Sequence, residues 1–351
     1  MKNPAIDVLK GIAIILVVCG HVVQRTMVPS GADFFLNPAF KFIYTFHMPL
    51  FVFLSGYLMA FSVSRRSLGD TLKTRCKSLL VPFASWGILG ILTNYALNIV
   101  DGRQADIARL PWDVADQLFF NPSVWFLFTL FVLSAALLLS IRLEKHMGVG
   151  AFVLVYLLML SIPYNDYFSL YYIKWFYVFY AAGYWANRCH VAIPSKPLNP
   201  GLLVAALIAF ALLVSFWNKS DYIYLNKMSF MPKEYPYEFL RYIYRYGIGF
   251  LGIIIAFYVA TYAVGNNIGT WLARVGVYSL DIYLIQRYIV EGLYPRLVVY
   301  AHINFDFNSP LFMVVFVPVM ALLFVGLCMV ISKLLIRNNP LWNKLLLGNR
   351  S

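Results

Sequence analysis

Apolar runs of near-spanning length recur ten times along this chain, at about 6–26, 40–63, 79–99, 123–141, 148–164, 168–187, 200–217, 243–264, 275–299 and 310–335. A helix needs roughly 20 apolar residues to cross the hydrocarbon core of a bilayer. No water is present there to bond exposed peptide groups, so each run is expected as a helix. The pattern therefore predicts an all-α fold, a polytopic transmembrane helical bundle of about ten spans. The fifth and sixth runs are joined by the short turn Pro163-Tyr164-Asn165-Asp166. No internal repeat or low-complexity tract is visible.

Composition agrees and adds an orientation. The 351 residues are 61% hydrophobic and 12% charged, with a mean hydropathy of +0.72. A soluble domain carries roughly 25% charged residues, and here the apolar excess extends over the whole length, which excludes a soluble domain on a single anchor. The net charge is +13. In a membrane protein this reports Lys and Arg held on the cytoplasmic side, so lipid is the expected surroundings and nucleic acid is not an expected partner. The link between the second and third runs carries Arg65, Arg66, Lys73, Arg75 and Lys77 against one acid, Asp70, and is expected in the cytoplasm. The tail from Arg337 is basic too. Ten spans then place both termini in the cytoplasm, with a transmembrane domain over 1–337 and a basic cytoplasmic tail over 338–351. The outer loops would be 27–39, 100–122, 218–242 and 300–309. The third of these is itself basic, with Lys219, Lys227, Lys233 and Arg241.

The first run has features of a leader, including a Leu16-Val17-Val18-Cys19 box. Val18 is bulky where a small residue is wanted and Asp7 is foreign to a leader, so a retained first helix is expected. Cys19, Cys76, Cys189 and Cys328 lack any CxxC spacing, so neither a disulfide framework nor a zinc site is expected.

Ionisable groups within a bundle are costly and mark candidate function. His21 follows Lys10 by eleven residues, about three turns, so the two share a helix face roughly 16 Å apart. Asp7 stands at i,i+3 from Lys10, which also suits a plain interfacial ion pair. His21 could equally be a polar contact between helices. The second run reads Phe46-His47-Met48-Pro49 and continues to Ser55-Gly56-Tyr57. His47 falls at a depth similar to His21, Pro49 can kink the helix and Gly56 permits close packing. The ninth run carries Asp281, Gln286, Arg287 and Glu291. Glu291 lies near the depth of His21; it could orient the imidazole, or it could simply balance Arg287 at i,i+4, the simpler reading. The stretch from Pro232 to Gly247 combines Glu238, Arg241 and Arg245 with five tyrosines. That suits a sugar, and it suits an interfacial aromatic belt with anchoring arginines better.

Together these pieces resemble the acyltransferase 3 family of bacterial membrane acyltransferases. The family's first helix carries an acid, a basic residue three positions on and a histidine eleven residues later, matched by Asp7, Lys10 and His21. Its second helix is matched by His47, Pro49, Phe51, Ser55, Gly56 and Tyr57. The basic opening of its third helix is matched by Arg75 and Pro82, with Ser78 at the second arginine and Lys77 nearby. The stretch Val124–Leu130, around Trp125 and Phe126, resembles a fourth-helix signature. The stretch Tyr278–Gln286, which includes Tyr283, resembles a late signature that often ends in His.

The resemblance implies transfer of an acyl group, most often acetyl from cytoplasmic acetyl-CoA, to a hydroxyl of a cell-surface glycan or lipid-linked sugar, at the bacterial cytoplasmic membrane and without a metal. It implies the stand-alone form, without a C-terminal hydrolase-like domain. His21 would be the general base or a transient acyl carrier, with His47 and Glu291 as further catalytic candidates. Lys10, Arg75, Lys77 and Asp7 would serve the donor end. Tyr57, Trp125, Arg241, Arg245, Tyr283 and Arg287 are the acceptor candidates. A transporter or exporter of a small solute is the alternative from another class. Such a protein tends to show paired broken helices in two repeated halves, which this sequence lacks.

Overall fold

The computed structural model describes residues 4–100, 102, 106–120, 122, 124–162, 170–191, 197–223, 225, 237–301 and 305–348, the side chains of Tyr237 and Glu238 excepted. The Pro163–Asp166 turn, Lys227 and Lys233 lie outside the described residues. All regular elements among the described residues are helical. Among the described residues, six helical stretches are long and apolar enough to cross a membrane: Pro4–Ser30, Pro38–Arg65, Leu68–Val100, Trp125–Met147, Phe239–Ala263 and Leu311–Arg337. Gly150–Ser161 and Pro200–Ser215 are shorter apolar helices. The ninth apolar run is broken into pieces instead of forming one rod. The chain divides into two compact units, one built from 1–54, 189–226 and 231–333, the other from 55–188, 227–230 and 334–351.

In the first unit, α1 (Pro4–Met27) is the axis. Pro4–Ser30 is the most buried of the six long stretches. The next helical stretch breaks in two, α2 (Pro38–Tyr44) and α3 (His47–Arg65). The break follows from Pro49, which has no N–H for the carbonyl four residues back and crowds it. That carbonyl is Thr45, the residue at the break. Phe46, beside it, packs onto Gly252 of α11 (Tyr237–Ala263), where a Cβ would collide with its ring.

Beyond α11 come α12 (Asn267–Val277) and α13 (Ser279–Gln286), a π-helical turn over Arg287–Leu293, and α14 (Tyr294–Tyr300). α12 crosses α1 at glycines. A Cβ on Gly276 would strike the Asp7 carbonyl and come within 3.0 Å of the Gly11 nitrogen. A Cβ on Gly11 would meet the Leu272 carbonyl. Bare backbone on both sides lets the two helices touch, as small residues do in lipid. Buried Asp281 of α13 accepts a hydrogen bond from Ser332, just past α15 (Val317–Ile331). Between the helical stretches, Lys219 donates to Asp33 at 2.8 Å and stands over the Phe35 ring. The hydrogen bond from Lys219 holds the Asp33 carboxyl below the usual carboxylate range.

In the second unit, α7 (Trp125–Met147) and α9 (Leu170–Arg188) are joined by hydrogen bonds between Ser134 and Tyr180 (2.8 Å) and Ser140 and Tyr177 (2.6 Å). Gly56 packs directly on the Tyr180 backbone, as its small size predicts. The short Gly150–Ser161 helix ends where Lys174 of α9, itself buried, donates to the carbonyls of Leu160 and Ile162. The basic tail contains a helix, Pro340–Leu347, whose Leu346 carbonyl accepts from Trp86 Nε1 at 2.7 Å.

The Gly11–Gly276 crossing leads to a stability prediction. Gly276→Ala forces two backbones apart and should cost about 1–3 kcal/mol, as overpacking does. Gly326→Ala, in α15 with nothing within 4 Å of the new methyl, should be neutral. Apparent melting temperatures of the purified variants test this; equal values would show that the two helices do not touch there.

Candidate active site

The site forms around one carboxylate in the first unit. α1 is unbroken from Pro4 to Met27, so Lys10 and His21 do share a face about three turns apart. Arg25, one turn beyond His21, continues that stripe. Its Nη2 donates to Glu291 Oε2 at 3.1 Å. His21 Nε2 stands 3.7 Å from Glu291 Oε1, within Coulomb range and beyond hydrogen-bond length. Arg287 Nη1 is 4.0 Å from Oε2, and Gln286 Nε2 donates to Oε1 at 3.2 Å. Glu291 thus both faces the imidazole and balances arginine. Its principal charge partner is Arg25, with Arg287 more distant.

The π-helical turn makes this convergence possible. In an α-helix, residues five apart point about 140° away from each other. A turn closed by i→i+5 bonds brings such residues onto one face, and π turns often occur at functional sites. Gln286 and Glu291 are five apart and hydrogen-bonded. The turn is pinned immediately after by Tyr294. The Thr26 hydroxyl donates to the Val22 carbonyl at 2.7 Å, so in the 2.8 Å contact between Thr26 and Tyr294 the tyrosine is the donor.

His47 sits at the start of α3, nearly fully buried. Its Nδ1 lies 2.7 Å from the Ile43 carbonyl. A carbonyl only accepts, so Nδ1 carries the proton and Nε2 is left as the acceptor of the neutral ring. The imidazole takes up a carbonyl that the helix break leaves short of a good donor. Tyr44 meets the His47 ring edge to face at 4.7 Å. Tyr44 also stacks on Phe40 at 3.9 Å and packs on Gly20, where an added Cβ would approach its ring to 2.7 Å. His47 therefore reaches the surroundings of His21 through Tyr44.

The other sequence candidates fall elsewhere. Lys10 pairs with Asp7 at 3.3 Å, near the start of α1. Tyr283, half-buried, offers its carbonyl to Gln286 at 3.5 Å. Arg241 is engaged by buried Asp221, its Nε at 3.0 Å, and by Asn218 Oδ1 at 2.7 Å. Since Asp221 also accepts from the Asn218 amide at 2.9 Å, Arg241 braces the 218–221 turn. Arg245 is buried, 5.8 Å from the Tyr242 ring centre. In the second unit, Arg75 ends helix Leu68–Arg75 half-buried and Lys77 is exposed. Trp125 opens α7 and stacks on Tyr172 at 3.8 Å, while Tyr57 meets Phe61 at 6.0 Å. Sequence reasoning missed Arg25, although its spacing of four from His21 was a signal. Gln286 was noticed among the polar residues of the ninth run and as the end of the late signature, with no partner assigned to it.

Membrane-length helices carrying a half-buried histidine, one shared acid and two arginines define a polytopic membrane protein with a site suited to proton transfer. Residues 3–333 match the acyltransferase 3 family, an acyltransferase domain, and the chain belongs to that family. Over 85 residues it is 42% identical to nodulation protein NolL of Sinorhizobium fredii and 40% identical to nodulation protein NolL of Mesorhizobium japonicum. Each alignment covers 24% of this chain and 23% of the relative, so the chain aligns with about a quarter of the length of these curated relatives. No solved structure matches the chain.

The distances around Glu291 rank its partners. In double-mutant cycles on thermal midpoints, Arg25→Gln with Glu291→Gln should show a coupling of about 1–3 kcal/mol, and Arg287→Gln with Glu291→Gln a smaller one. A larger coupling for Arg287 would mean that the acid primarily serves its own helix.

Proposed function

We propose that this chain is a membrane O-acetyltransferase that moves an acetyl group from cytoplasmic acetyl-CoA to a hydroxyl of a cell-surface glycan or lipid-linked sugar. The observation that carries the reading is His21 facing Glu291 on a helix whose other end bears Lys10, in a chain of this family. A sugar hydroxyl attacks a thioester only once a base takes its proton, and an imidazole does this near neutral pH. Glu291 on the Nε2 side holds the ring and compensates the charge it gains. The lone-pair atom is then Nδ1, which is buried and has no hydrogen-bond partner among the described residues. The acceptor oxygen bonds to the acetyl carbon and the carbon–sulfur bond breaks. The hydroxyl proton passes to His21 and from there to the leaving thiolate. Nε2 of His47 is the acceptor atom of a second, neutral imidazole and serves as a positioning group.

The donor's phosphates are assigned to cations near the cytoplasm, Lys10 in the first unit and Arg75 and Lys77 in the second, on the family pattern and on the chemistry of phosphate and cation. The acceptor roles of Tyr57, Trp125, Tyr283 and Arg287 are proposed on the same pattern. Arg241, held by Asp221 and Asn218, is better explained as a brace of the 218–221 turn, and Arg245 stays an acceptor candidate on the sequence pattern.

The chemistry has a direct test. His21→Gln keeps hydrogen bonding but cannot accept the proton. A positioned base contributes roughly 10²–10⁴-fold in rate, so transfer from labelled acetyl-CoA by the purified variant should fall by that factor. A rate within twofold of the parent chain would make His21 a packing residue.

We also propose ten spans in the bacterial cytoplasmic membrane with both ends inside, supported by helices in all ten apolar runs and by the basic Arg65–Lys77 link. Exposed Cys189 then faces the cytoplasm. A membrane-impermeant maleimide should label it in inverted vesicles and leave it unlabelled in intact cells. Labelling from outside would break the span count.

A further inference from the structure

We infer that Arg25 and Gln286 line a subsite that recognises hydroxyls of the acceptor, and that its ligand is an uncharged polyol such as a sugar ring. Buried polar atoms without a hydrogen-bond partner are rare in folded proteins, because each costs about 1–3 kcal/mol. Three of those in this structure are His21 Nδ1, Arg25 Nε and Gln286 Oε1. All three belong to residues that face Glu291. Each lies within the width of one ring, guanidinium or amide from the atom that meets the carboxylate.

The orientation of Gln286 is fixed by chemistry. A carboxylate only accepts, so the amide nitrogen must face Glu291 and the oxygen must face away. Gln286 is nearly fully buried, so that oxygen has no solvent in exchange. Arg25 likewise presents an N–H with no acceptor, while its Nη2 is committed to Glu291.

The three atoms define what can satisfy them. Arg25 Nε is a donor, Gln286 Oε1 an acceptor and His21 Nδ1 the acceptor of the proposed reaction. An ionised carboxylate or phosphate has no proton for Gln286 and would meet the Glu291 charge. An ammonium has no lone pair for Arg25. A hydroxyl donates and accepts at once, and neighbouring hydroxyls on a ring can reach two partners while a third faces His21. Arg25 is one turn, about 6 Å, outward of His21, so the subsite extends from the base toward the outer side.

The subsite rests on the acetyl-transfer reading, and the experiment separates the two. The full chain in lipid nanodiscs is given labelled acetyl-CoA and a panel of octyl hexopyranosides with their monodeoxy analogues. Absence of any labelled glycoside from the parent chain would defeat the acetyl-transfer reading, and the subsite with it. Given transfer, Arg25→Lys and Gln286→Met should each raise KM for the glycoside at least tenfold and leave KM for acetyl-CoA within twofold. Loss of one particular ring hydroxyl should penalise the parent chain at least tenfold and Gln286→Met less than threefold. Gln286→Met preserves volume, so it serves if the arginine variant fails to fold. A rise in KM for acetyl-CoA alone, unchanged constants, or equal deoxy penalties in both proteins would overturn the subsite while leaving acetyl transfer standing.

Discussion

The packing around His21 in the first unit depends on one carboxylate. Arg25 and Arg287 both point at Glu291. Without the acid, the two guanidiniums would lose the carboxylate they share inside an apolar bundle, where Coulomb energies are far larger than in water. With it, the pair of arginines becomes a fixed frame and His21 gains a charged neighbour. A single group therefore links the stability of the bundle to the chemistry of the site.

The frame is rigid because the elements around it are pinned by backbone and not by side chains alone. α1 runs unbroken beneath the cluster and meets α12 at Gly11 and Gly276. The Tyr294–Thr26 and Asp281–Ser332 hydrogen bonds hold the two ends of the segment that carries Arg287 and Glu291. His47 is fixed by the Ile43 carbonyl beside a helix break that Pro49 imposes. The His47 imidazole is thereby held in a defined rotation with its proton on Nδ1.

Much of this was legible in the sequence. The length of the apolar stretches located helices in all ten runs, and an unbroken first helix made the Lys10–His21 spacing meaningful. The Asp7–Lys10 pair followed from residue counting, which also set Glu291 near the depth of His21 but favoured Arg287 as the partner of the acid. What could not be read had physical causes. Counting assumes 3.6 residues per turn, so the π-helical turn at Arg287–Leu293 was invisible, and with it the approach of Gln286 to Glu291. Arg25 stands near the end of its helix, where an arginine reads as reaching for the headgroups. Asp221 and Arg241 lie twenty residues apart, and no local pattern encodes their pairing. The short Gly150–Ser161 helix ends at carbonyls met by a lysine from another helix, a tertiary effect.

The π-helical turn makes chain length, as well as chemistry, a property of the site. Each of its hydrogen-bonded rings encloses one residue more than an α-helical ring. Loss of a single residue between Arg287 and Leu293, even an apolar one touching nothing, would return the segment to α-helical register. Everything after the deletion would then swing by about 100°. For homologues of this chain, a one-residue gap ahead of Glu291 in this stretch should be tolerated less well than many of its substitutions, because it would turn the acid away from both His21 and Arg25.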